Sequence, residues 1–235
     1  MDVNKNSYTF TFAAIMVIVV AAILSFAATS LKDRQDNNVR LEKMQNILSS
    51  INVEVERDAA EGVYSEYIKQ EIVVNNSQVQ SGVKAFDIEL KKELTKAPLE
   101  RNAPLYVAEK DGKTYYIAPI RGKGLWDAIW GYVAMDENMI VQGAYFDHKG
   151  ETPGLGANIK YRFFMDDFKG EHLLDASGNF KGIRVAKGNN DPKNDDKTDY
   201  EVHAIAGATI TGDGVSAMIK SDLKLYVNYF KTLKQ

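Results

Sequence analysis

Between Lys5 and Lys32 the chain carries no charged residue, and this gap limits its fold more than any other feature. From Tyr8 to Ala28 it is dominated by Ile, Val, Ala, Leu and Phe, and it exceeds the about 20 residues that cross a bilayer core as a helix. Tyr8, Phe10 and Phe12 gather at one end, as interfacial aromatics do. A cleaved secretory signal has a shorter apolar stretch and a more basic start, whereas here only Lys5 precedes the segment, so the sequence predicts an uncleaved anchor. Charge alone leaves the orientation open. Lys32, Arg34, Arg40 and Lys43 follow the segment, and counted simply they place the remainder of the chain on the inner side.

Beyond the anchor, a 235-residue chain that is 45% hydrophobic can bury one sizeable core. The net charge of −3, without a basic domain or basic helix, offers nothing for nucleic acid. The chain has no cysteine, which excludes disulfides, thiolate metal sites and iron–sulfur ligation by this polypeptide. His148, His172 and His203 are far apart and lack metal-ligand spacing, and the acidic run around Asp195 and Asp196 matches no calcium-loop pattern. No P-loop, dinucleotide fingerprint or Ser–His–Asp set is present, so neither catalytic residues nor a metal site are expected.

Hydrophobic periodicity divides the chain into an anchor at 1–30 (helix about 8–28), a helical adaptor at 31–98 and an α+β domain at 99–235. In the adaptor, Leu41, Met44, Ile47, Leu48 and Ile51 recur at helical spacing, as do Tyr64, Tyr67, Ile68 and Ile72. Asn75-Asn76-Ser77 reads as a turn, and Phe86 to Leu94 fits either strand or helix. From Pro104 the pattern becomes β. Asp111-Gly112-Lys113 joins one strand pair, and Asp136-Glu137-Asn138 joins another between Gly131 and Phe146. A hairpin is expected from Leu173 to Val185, a strand from Tyr200 to Ile205, and a closing amphipathic helix from Val215 to Leu233.

Three stretches stand out chemically. Gly207-Ala208-Thr209-Ile210-Thr211 turns from strand to helix through small residues, leaving the Thr209 hydroxyl uncrowded, with Thr211 or Asp213 placed to cap the helix. A helix start of this kind offers backbone N–H groups to a phosphate. Glu151-Thr152-Pro153-Gly154-Leu155-Gly156 makes a stiff, tightly turning backbone that suits a flat ring, with Leu155 as the apolar contact and Glu151 or Thr152 orienting the turn. Gly124-Leu125-Trp126 follows Arg121 and Lys123, and by itself reads as a turn feeding a core tryptophan.

Taken together these stretches resemble the FMN-binding domain family, and most closely its quinone-reductase branch. The family pattern runs Asp-x-x-Ser/Thr-Gly-Ala-Thr, its last threonine esterified to the FMN phosphate. Here that position is Thr209, while His203 and Ala206 stand where the family has Asp and Ser or Thr. The resemblance implies covalent FMN on Thr209, with Gly207, Ala208, Ile210, Thr211, the Glu151–Gly156 loop, Gly124, Leu125 and Trp126 around it. It implies an antiparallel sheet with flanking helices in the C-terminal domain. It further implies a one-electron carrier subunit of the sodium-pumping NADH:quinone oxidoreductase, an oxidoreductase and translocase, not catalytic alone. The expected partners are the other membrane subunits of that complex and a flavin transferase; the expected place is the bacterial inner membrane, with the soluble domain periplasmic. Two alternatives stand beside it: the equivalent subunit of the Rnf-type ferredoxin:NAD oxidoreductase, and a membrane-anchored assembly module without cofactor.

Overall fold

A computed structural model describes residues 5–188, 191 and 193–234. The apolar segment and the helix expected over 39–51 are one continuous helix, α1 (Asn6–Ser49), 44 residues long. It contains an 18-residue window of mean hydropathy 2.7 with none of that window buried, so by length and composition it can cross a membrane. The chain divides into two compact units, 1–43 and 44–235. The last turns of α1 belong to the second unit, where Met44, Ile47 and Leu48 are buried.

The second unit is built on a six-stranded antiparallel sheet whose strands lie in the order Gln78–Val79, Ile68–Asn75, Ala103–Lys110, Lys113–Lys123, Ala128–Met135 and Val141–His148. After α2 (Ala60–Tyr67) the chain enters β1 (Ile68–Asn75), turns at Asn76-Ser77 and forms the short β2 (Gln78–Val79). Helical periodicity predicted a helix to Ile72, but the structure switches to strand at Ile68. The β-branched run Ile72-Val73-Val74 pairs with Leu105, Pro104 and Ala103 of β3 (Ala103–Lys110), so long-range pairing overrides the local helical spacing. The sheet therefore crosses the boundary drawn at residue 98 between adaptor and domain. The ambiguous stretch around Phe86 resolves into a 3-10 turn at Ala85–Asp87 and the one-turn helix α3 (Leu90–Glu93).

β3 and β4 (Lys113–Lys123) form the hairpin expected at Asp111-Gly112, both with positive φ, which matches the strands' twist. β5 (Ala128–Met135) and β6 (Val141–His148) complete the sheet. One face carries Leu105, Ile120, Val133 and Phe146 into the main core, facing Val215, Met218, Ile219, Leu223 and Tyr226 from the C-terminal helices. The opposite face is buried too: Tyr106, Ala108, Ile117 and Ala134 are covered, and the Tyr106 hydroxyl donates to the Ala85 carbonyl. The free edge of β6 is partly closed where the Val141 amide donates to the Glu171 carbonyl, 2.9 Å.

The segment after β6 supplies the helical turn Gly156–Lys160 and α4 (Arg162–Met165). Phe164 and Phe168 stack around Phe146 with ring centroids 4.9–5.7 Å apart, whereas Tyr161 and Phe163 stay exposed. The hairpin expected over Leu173–Val185 does not form. Leu174 and Phe180 make a single bridge, and β7 (Arg184–Val185) instead pairs in parallel with β8 (Glu201–Val202), which is all that remains of the strand expected to Ile205. The closing helix is broken in two: α5 (Thr209–Asp222) and α6 (Val227–Thr232), joined by the 3-10 turn Leu223–Tyr226. That turn still buries Leu223 and Tyr226, so the amphipathic stripe survives the break.

Candidate functional site

α5 begins at Thr209, one turn earlier than a cap at Thr211 or Asp213 requires. Both of those residues lie inside the helix, and Ala208 occupies the cap position with no side-chain hydrogen bond. The first-turn amides of α5 are thus left without a side-chain acceptor, the arrangement that draws anions to a helix start. Gly207, with φ +71°, makes the turn that precedes it.

In front of this helix start lies a cavity of about 240 Å³. Its lining comes from the three stretches singled out in the sequence. The β4–β5 loop gives Leu125, the loop after β6 gives Glu151, Thr152, Leu155 and Gly156, and the helix start gives Gly207 to Thr211. Gly124, Trp126, Pro153 and Gly154 flank this lining without forming part of it. Leu125, Trp126, Leu155 and Ile210 are exposed around the cavity, which makes its rim apolar. Trp126, a core residue on the string alone and a site residue by the resemblance, is 67% exposed and is held by its Nε1–H donating to the Thr152 hydroxyl, 3.1 Å.

One carboxylate ties the three stretches together. Glu151 is only 4% exposed, and its Oε1 accepts the Trp126 amide at 2.9 Å. Its Oε2 accepts the hydroxyl of Thr211, itself 2% exposed, at 2.5 Å. Burial pushes the Glu151 carboxyl upward, but the Thr211 hydroxyl and the amides of Trp126, Leu125 and Asp127 outweigh it and hold the group below its ordinary value. The carboxylate is therefore anionic at neutral pH. Two glycines make room for it: a Cβ on Gly124 would fall 2.6 Å from Oε1, and one on Gly156 would fall 2.5 Å from Oε2.

His148, read from the sequence as an isolated histidine without metal-ligand spacing, also serves this site. Its Nδ1 accepts the Glu151 amide at 3.1 Å, which fixes the start of the loop. Only its position three residues before Glu151 hinted at this. His203 is directed elsewhere, 2.7 Å from Asp167 Oδ2 and 2.8 Å from the Asp191 carbonyl, and does not line the cavity. Lys149, two residues before Glu151, pairs with Asp127 at 2.9 Å. Among the described residues no group of three His, Asp or Glu side chains is placed to hold a metal.

The FMN-binding domain model matches residues 124–224, a span that opens at the first glycine of the β4–β5 loop and reaches past the end of α5. The solved structure of the C subunit of the Na(+)-translocating NADH-quinone reductase from Parabacteroides distasonis superposes with a TM-score of 0.75 at 37% identity, covering 85% of this chain and 96% of that one. The protein of the same name from Yersinia pestis is 30% identical over 88% of this chain and 84% of its own length. The one from Haemophilus ducreyi is 28% identical over 92% and 90%. The match runs nearly the whole length of each relative and includes all three loops that meet at Glu151. The chain therefore belongs to the family of C subunits of Na(+)-translocating NADH-quinone reductases.

Proposed function

We propose that this chain bears FMN joined to Thr209 through a phosphodiester, and that it relays single electrons within a sodium-pumping NADH:quinone oxidoreductase. The observation that carries the reading is the contrast between two threonines in one helical turn. The Thr211 hydroxyl is buried and committed to Glu151, whereas Thr209 is exposed, lines the cavity and opens the helix. Of the two, only Thr209 is available as an acceptor.

The residues present fit a flavin phosphate. Uncapped amides at the start of α5 suit the phosphate, Gly207 and Ala208 keep the approach to Thr209 open, and Leu125, Leu155 and Ile210 give an apolar rim against which a ring can lie. When bound, the flavin supplies the redox chemistry. The polypeptide holds the Thr209 oxygen at the cavity and orients the 151–156 loop through Glu151 and Thr152. In this reading α1 is a single-pass anchor in the bacterial inner membrane and, following the family resemblance rather than the Lys and Arg count, the domain is periplasmic, where a flavin transferase attaches the cofactor and a covalent tether prevents its loss.

The test is the intact mass of the full chain produced with its flavin transferase. The expected result is an FMN adduct and a fluorescent band on a denaturing gel, both absent in Thr209→Ala. An adduct that persists in Thr209→Ala and maps to Thr211 overturns the site assignment. A bare polypeptide mass for the parent chain, isolated with its partner subunits, overturns the cofactor role.

A further inference from the structure

We propose that Glu151 sets the electrostatics of the cavity: its buried carboxylate opposes added negative charge there and so lowers the reduction potential of a flavin bound in it. This rests on the flavin reading above, and it adds a role for a side chain that otherwise only bridges loops.

Among the ten lining residues Glu151 alone is ionisable. Among the described residues no lysine or arginine lines the cavity, and two lysines of the neighbouring segments are paired outward, Lys149 with Asp127 and Lys187 with Asp213 at 3.5 Å. Nothing on the described wall therefore neutralises the carboxylate. The donors that surround it, Trp126 N–H and Thr211 Oγ1–H, stabilise the ionised form without cancelling its charge. At 4% exposure it is also poorly screened by water, so its field acts across the cavity at an effective dielectric well below that of bulk solvent. The partial positive charge at the start of α5 works the other way, favouring the phosphate, but it falls off within the first turn. A ring held against Leu125 and Leu155 would feel the carboxylate more than the helix start.

Each electron added to the ring brings negative charge towards an existing one, which makes reduction less favourable. Glu151→Gln removes the charge and preserves the shape: the amide oxygen still accepts from Trp126 N–H, and the amide nitrogen can donate to the Thr211 oxygen. A purely structural role predicts no change of potential in this variant.

The experiment is spectroelectrochemical titration of the flavinylated full chain in detergent, parent against Glu151→Gln, with flavin content measured by mass on the same samples. The expected result is a rise of at least tenfold in the ratio of reduced to oxidised flavin at fixed potential, about 59 mV for one electron. An unchanged midpoint at equal flavin content overturns the proposal and leaves the covalent-flavin reading intact, whereas absence of flavin from the parent overturns that reading itself. Should Glu151→Gln fail to fold or to load, redox-difference infrared spectroscopy of the parent chain with a carbon-13 carboxyl label placed at Glu151 alone decides. A label-sensitive shift of an ionised carboxylate band on flavin reduction supports the proposal, and its absence overturns it.

Discussion

Replacing Gly156 with alanine tests the joint at which the three loops meet. A Cβ at this position would lie 2.4 Å from Thr211 Oγ1 and 2.5 Å from Glu151 Oε2, the two atoms of the buried hydrogen bond. Neither partner can swing into solvent, because both side chains are almost fully covered. The methyl group must therefore break the bond or push the loop off the start of α5. Losing a buried hydrogen bond to a charged group costs about 1.5–3 kcal/mol, and crowding a packed site adds about 1–3 kcal/mol. The expected loss is about 3–5 kcal/mol, a large share of the stability of a domain of this size. Urea unfolding of the full chain in detergent, followed by tryptophan fluorescence, measures it. Gly150→Ala is the matched control, since its Cβ would meet nothing closer than Asp127 Cβ at 3.8 Å, and it is expected to stay within about 0.5 kcal/mol of the parent. Gly124→Ala strikes the same carboxylate from the other side, so its cost combined with that of Gly156→Ala should fall short of the sum. A Gly156→Ala chain that unfolds within about 1 kcal/mol of the parent refutes the clamp.

Two further outcomes follow from particular residues. Glu171 is fully buried, and burial pushes its carboxyl up to about 7, with Lys197 at 3.3 Å only partly offsetting this. A carboxyl raised above its unfolded value contributes stability that is fully present below about pH 4.5 and is lost as pH rises through about 7. Thermal melts should therefore show a decline on the order of 2 kcal/mol between pH 5 and pH 8, absent in Glu171→Gln; an unchanged pH profile in that variant would refute the assignment. Gly62 lies within α2 with open space around its Cβ position, so Gly62→Ala should stabilise the domain by about 0.5–1 kcal/mol, read as a higher urea midpoint at unchanged slope.

Features set by neighbouring residues could be read directly from the sequence. The uncharged run from Asn6 to Leu31 marked a helix long and apolar enough to span a membrane, because desolvating charge in a bilayer is costly wherever the chain goes afterwards. Asp111-Gly112 marked a hairpin because few residue pairs accept positive φ at both turn positions. The family pattern singled out Thr209 and the 151–156 loop for the same reason: their chemistry lies in short consecutive strings.

Features that depend on residues far apart in the chain were decided only by the tertiary structure. Ile68 to Ile72 carried helical spacing, yet the vacant edge of β3 made this stretch part of a strand. The segment from 173 to 185 looked like a hairpin, but β7 pairs with β8, and Val185 and Val202 both enter the core under α5. By residue type Thr209 and Thr211 are alike, and in the fold a carboxylate sixty positions before Thr211 engages that hydroxyl and leaves Thr209 open. Local propensity fixes what a segment can become, whereas burial and long-range hydrogen bonding choose among those options, since their energies appear only when distant segments meet.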